Sequence, residues 1–277
     1  MAERLFLFVQ MEFPWELGPP DGRYLLRRHA AAQPERVVVL DTVSAARRRG
    51  RLGARHPQAT PDPATVPTAR ATVIDPVSVS AEGQARAWLT QLDVERETQV
   101  AAAALNHVLF AHRIATADPH VRELSPAQAL IVRAGWGEGE QVAYGRWLHA
   151  RELRLSERRA RRTAVLRPQE RFAALLGARE QALMCEELTL RARLDLDQGR
   201  LGHAALELEQ AYAAALAELP PLERPDLAER IAELTQLRPG VTEAARAAPG
   251  ESDEEALGHA LTRLEAALRA RTAAGLG

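Results

Sequence analysis

The histidines His107, His112 and His120, with Asp118 among them, are the first residues in this chain whose types could do chemistry together. Imidazoles and a carboxylate suit zinc or iron. Their spacing is poor for a helical site, since five positions turn His112 roughly 140° away from His107. A reversal at Asp118-Pro119 can still bring part of the set together, so the four are weak metal candidates and no cofactor is expected. Glu138 and Glu140 offer acid or base chemistry, but nothing in the sequence supplies a partner for them. Cys185 has glutamates at 186 and 187, which disfavour a thiolate, so it reads as a packed small hydrophobe rather than a nucleophile.

Two arginine clusters form the second group. Arg47, Arg48, Arg49, Arg51 and Arg55 stand in a glycine-containing stretch that can follow a phosphate backbone. Arg151, Arg154, Arg158 and Arg162 share one face if residues 141–162 are helical. Either cluster can bind an anion or nucleic acid, or face the acidic C-terminal region of the same chain. The third group is aromatic. Aromatics make up only 4% of the chain, so Trp15, Trp136, Tyr144 and Trp147 stand out as ligand or partner contacts. Trp15 and Trp136 lie in segments, Phe13-Pro14-Trp15-Glu16 and Gly135-Trp136-Gly137, that read as loops.

Many chemistries are excluded. All 36 basic residues are arginine, so a lysine Schiff base and a lysine-bearing phosphate loop are impossible. No G-x-G-x-x-G, His-Glu-x-x-His or G-x-S-x-G occurs. One cysteine precludes an internal disulfide. The formal charge is −1, yet residues 1–70 carry 11 arginines against 7 acids and residues 172–277 carry 18 acids against 11 arginines. A basic front and an acidic back are hidden in a neutral total. No stretch nears the ~20 apolar residues of a membrane span, and the cytoplasm is the expected setting.

The elements that must position these residues fall into two kinds. Strands are expected at 5–13, 23–27, 35–41 and 71–76, the third marked by three adjacent valines. Residues 43–69 read as a basic, Pro-rich disordered loop. From Ser80 the apolar period becomes helical: one helix to about 117, a short one through 132 opened by Ser125-Pro126, one over 141–162 and a long one over 168–197. Residues 201–219 repeat apolar positions every three or four residues, 227–237 form a shorter helix, and 254–271 carry the stripe Leu257, Leu261, Leu264, Leu268. That stripe needs a partner surface, in its own domain or on another chain.

Residues 193–219, with Leu194-Asp195-Leu196-Asp197-Gln198-Gly199-Arg200, then Ala204-Ala205 and Tyr212-Ala213-Ala214-Ala215-Leu216, resemble one unit of a tetratricopeptide-type helical hairpin. The resemblance covers about a tenth of the chain and has no second copy at a period of about 34 residues. It implies two packed helices.

The expected fold is α+β and predominantly helical, a small N-terminal sheet packed against five to six helices. The expected organisation is a β-containing region at 1–79, a helical domain at 80–238, a linker at 239–253 and a terminal amphipathic helix at 254–277. Several amphipathic elements without a catalytic set point to a non-catalytic interaction or scaffold protein, binding another protein or itself through the C-terminal helices. A nucleic-acid accessory protein using the arginines, or an enzyme or small-ligand-binding protein, are the alternatives.

Overall fold

A computed structural model describes residues 4–43, 68–155, 168–219, 225–247 and 252–275. The fold is α+β and helix-rich, and the chain divides into two compact units, Met1–Ser156 and Glu157–Gly277.

The first unit is built on β1 (Leu5–Phe13), β2 (Gly22–Leu26), β3 (Arg36–Val43), β4 (Thr68–Ile74), β5 (Ile131–Glu138) and β6 (His149–Glu152). They form one sheet in the order β2-β3-β4-β1-β5-β6, every neighbouring pair antiparallel. β1 is central because both its faces are buried. Val9, Met11 and Phe13 point to one core, and Phe8 points to the other. Strand alternation demands this division.

Helices α1 (Glu82–Gln91) and α2 (Val94–Thr116) cover the first face. Ala85, Leu89, Ala101, Leu105, Val108 and Leu109 pack there against Val38, Ala71, Val132 and Trp136. A single helix was expected over 80–117, but Asp93 splits it. Its carboxylate accepts from Arg96 N at 3.1 Å and caps α2, the position where Asp does best. The sheet region and these helices share one core, so the first compact unit extends to 156 and includes α1 and α2, where the sequence places a division at 79/80.

The opposite face carries Phe8, Val37, Val39 and Ile74 beneath Val142 and Ala143 of a 3₁₀ turn, Gly139–Tyr144. Here the helical expectations fail. Ser125-Pro126 opens only a 3₁₀ turn, Pro126–Gln128, and residues 131–138 are a strand, not a helix end followed by a loop. Gly135 is required by that strand, since a Cβ there would lie 2.1 Å from the His149 carbonyl oxygen. At Gly137 it would lie 2.7 Å from Val142 Cγ1. The glycines that resemble loop punctuation are close-approach positions.

The second unit holds α3 (Pro168–Leu176), α4 (Met184–Asp197), α5 (Leu201–Glu218), α6 (Pro225–Arg246) and α7 (Glu254–Gly275). Residues 177–183 separate α3 from α4, where one long helix was expected. Arg171 spans the break, bonding Glu180 at 3.1 Å and Glu186 at 2.6 Å. α4 and α5 form the expected hairpin, turning at Gly199 with φ 71°. α6 continues through Pro239 to Arg246, across residues the sequence assigns to a linker. The stripe of α7 finds its surface inside this unit, with Leu257, Leu261 and Leu264 buried against Leu208, Tyr212 and Leu234. The Tyr212 hydroxyl donates to Ala260 O at 2.8 Å, joining α5 to α7.

Candidate functional site

Residues 15–18, after β1, and residues 118–124, after α2, form the two walls of a cleft of about 340 Å³. Pro14 follows β1 and turns the chain off the sheet. Leu17 then plugs the core, which leaves Trp15 and Glu16 outside. The Trp15 ring lies 6.0 Å from that of buried Phe13 and is 39% exposed. The ring is supported on Phe13 and lines the cleft.

The second wall is fixed at both ends. α2 stops at Ala117, whose left-handed φ of 52° ends the helix. Asp118 Oδ1 accepts from His120 N at 2.8 Å, a tight Asx turn. Val121 reaches into the core. At the far end the buried Asn106 side chain bonds both backbone groups of one residue, Leu124. Its Nδ2 donates to Leu124 O at 2.9 Å, and Leu124 N donates to its Oδ1 at 2.8 Å. Ser125 and Gln128 complete a capping box immediately afterwards. The walls touch at Gly18, where a Cβ would sit 3.2 Å from Val121 Cγ2; its φ of 101° is glycine territory. Asp118, His120 and Arg122 therefore line the cleft together with Trp15 and Glu16.

The other residues singled out from the sequence lie elsewhere. His112 stands near Gly18, behind the cleft. His107 is exposed on α2. Among the described residues no group of three or more His, Cys, Asp or Glu is arranged to hold a metal ion, so His107, His112, Asp118 and His120 do not converge as a ligand set. Trp136 is buried in β5 and stacks on His149 at 4.7 Å, which corrects its placement on a loop. Trp147 stacks on Phe8 at 5.7 Å, and Tyr144 is exposed at the end of the 3₁₀ turn. These three do not join Trp15 in one pocket.

Arg151 belongs to β6 and donates to Leu89 O of α1 at 3.0 Å. The helical ridge expected for Arg151 and Arg154 is therefore not formed at its start, because β6 pairs with β5. Arg47, Arg48, Arg49, Arg51, Arg55, Arg158 and Arg162 lie outside the described residues.

Three polar arrangements carry no signal in the sequence. Glu12 on β1 accepts from Arg133 Nη1 at 2.9 Å and from Arg70 Nε at 3.2 Å. Arg70 also reaches Asp41 at 3.7 Å. The alternating signs follow cross-strand register, with Asp41 opposite Arg70 and Arg70 opposite Glu12. Next to them Gln10, wholly buried, donates to Thr72 Oγ1 at 2.8 Å and Ala143 O at 3.3 Å. In the helical unit Glu218 of α5 caps α4, accepting from Met184 N at 3.1 Å and Cys185 N at 3.0 Å. Burial opposes the charge on Glu218, but these N–H groups, the Cys185 thiol and Arg271 outweigh it and hold its pKa below the ordinary value. Burial first, then the Glu218 carboxylate, push the Cys185 thiol up to about 12. Near neutral pH it is held as the protonated thiol.

No protein-family model, curated protein or solved structure matches this chain. Among the described residues no helix is long and apolar enough to cross a membrane.

Proposed function

We propose that this is a non-catalytic interaction protein whose sheet-bearing unit grips a segment of a partner polypeptide in the Trp15 cleft. The observation that carries the reading is the pre-ordered second wall, held by the Asn106 clamp at 2.8 and 2.9 Å opposite a half-exposed tryptophan. Binding to a surface already in its bound shape avoids most of the ordering cost. Tryptophan is also among the residue types most enriched in binding hot spots. Glu16, His120 and Arg122 are exposed around it, which makes the polar rim of a protein contact.

The cleft volume favours one second reading, a small-ligand site, since about 340 Å³ falls within the ~300–1,000 Å³ of such pockets. The lining is mainly apolar, as that use requires, but the cleft is open to solvent along a charged rim of Glu16, His120 and Arg122 rather than enclosed. The cytoplasm is the proposed setting, consistent with a lone, fully buried cysteine.

Photo-crosslinking from position 16 in cells of the native host tests the reading. A single polypeptide crosslinked in the wild-type background and lost with Trp15→Ala, at unchanged far-UV circular dichroism, supports it. A small-molecule adduct in place of a polypeptide moves the assignment to the ligand reading. Crosslinks that ignore Trp15→Ala remove the cleft from the account.

A further inference from the structure

The helical unit leaves several large apolar side chains exposed. Among its described residues the large hydrophobic side chains left exposed are Phe172 and Leu176 on α3, Met184, Leu190 and Leu194 on α4, and Leu206 on α5. On α4, Cys185, Thr189, Ala192 and Leu196 face the core. Met184, Glu187, Leu190, Arg191 and Leu194 recur at intervals of three and four on the opposite side. Met184 is 64% exposed, Leu190 68% and Leu194 41%. Glu187 and Arg191 pair between them at 3.0 Å. An outward helix face normally carries polar residues, so three large apolar side chains there call for a partner surface.

The chemistry of this face is a palindrome. Met184 and Leu194 are equidistant from position 189, and so are Glu187 and Arg191, with Leu190 beside the centre. A two-fold axis through position 189 sets Met184 against Leu194 of a second copy and Glu187 against its Arg191. The two Leu190 side chains then meet at the axis. A parallel pairing would instead oppose like charges. Self-complementarity under a two-fold is what an isologous interface requires.

We infer that the chain forms a symmetric homodimer through the outward face of α4, packed antiparallel against the same face of a second copy. The charge pattern selects a second copy over any other occupant, because each end of the face supplies what the other end needs. The inference goes beyond the cleft reading and does not depend on it, since it uses a different unit and different side chains. Positions 184 to 194 span only about 15 Å of helix. The contact therefore falls short of the ~1,600 Å² of a standard interface, and a concentration-dependent dimer is expected.

Sedimentation velocity of the full chain over about three decades of concentration reads this directly. The wild type is expected to pass from monomer to dimer as concentration rises. Glu187→Arg or Arg191→Glu alone should weaken association by about tenfold or more, because each creates two like-charge contacts across the axis. The double variant E187R/R191E restores both pairs with their signs exchanged and should recover association. Leu190→Glu should leave monomer only, and Trp15→Ala should change nothing. All four positions are exposed, so circular dichroism should show the fold intact. A wild type that stays monomeric, a dimer indifferent to these changes, or a double variant no better than the singles would overturn the inference.

Discussion

Replacing Asn106 by alanine removes both hydrogen bonds to the Leu124 backbone, one to its N–H and one to its C=O, while leaving the α2 backbone unchanged. Asn106 is 1% exposed, so its bonds at 2.9 and 2.8 Å are screened from water. Each is worth roughly 0.5–1.5 kcal/mol net, and a backbone group left without a partner costs about 1–3 kcal/mol. Leu124 is only half-buried, so water can satisfy part of the loss. The expected cost is about 3 kcal/mol, or about 6–12 °C in the melting temperature of a unit this size. The assay is selective, because all four tryptophans, Trp15, Trp88, Trp136 and Trp147, lie in the sheet-bearing unit. Tryptophan fluorescence therefore follows that unit's transition apart from the helical one. Hydrogen exchange should accelerate first at residues 118–125, and partner capture through the cleft should fall with it. An unchanged fluorescence transition, or exchange that rises evenly through the unit, would refute the claim that Asn106 holds the second wall.

Gly135→Ala should destabilise the sheet-bearing unit by at least about 3 kcal/mol, because a backbone carbonyl 2.1 Å away cannot step aside; a wild-type urea midpoint would contradict the β5–β6 register. Tyr212→Phe should cost the helical unit about 1 kcal/mol through the lost bond to Ala260 O, read from the circular dichroism melt. Cys185 should resist iodoacetamide at pH 8 in the folded protein and react once it unfolds, since burial and Glu218 keep it a thiol; rapid native alkylation would refute that. The Glu218 pKa is depressed in the fold. Its contribution is therefore complete above the ordinary value of 4.5 and is lost as pH falls through the lowered one. Glu218→Gln should flatten that acid limb of the helical unit's stability, and an identical limb in both proteins would sink the capping role.

The legible parts of the fold were those in which one period runs unbroken. The valines at 37–39 and the apolar run that ends in alternation over 5–13 mark strands, and the leucines of α7 mark a helix whose partner proved to be α5 and α6 of its own unit. Legibility failed where a residue type serves two purposes. Gly135 and Gly137 look like turn residues but are glycine because His149 and Val142 pass so close. Asp93 looks like one more polar position in a long helix, yet its carboxylate starts a new one. Trp15 and the Asp118–His120 segment were each recognisable as unusual. Their meeting was not, because about a hundred residues separate them and only the pairing of β1 with β4 and β5 brings the two loops together. The Asn106 clamp left no signal beyond a polar residue on an otherwise apolar helical stripe, and the face of α4 reads as an ordinary hairpin until its exposed side chains are seen.

Native mass spectrometry of the full chain purified from its own host at low salt, wild type beside Trp15→Ala, decides whether the Trp15 cleft holds a polypeptide. One polypeptide of defined mass is expected on the wild type and absent from the variant, with both proteins folded. A partner retained by Trp15→Ala, or a wild type that carries only a discrete small-molecule or nucleic-acid mass, would contradict it.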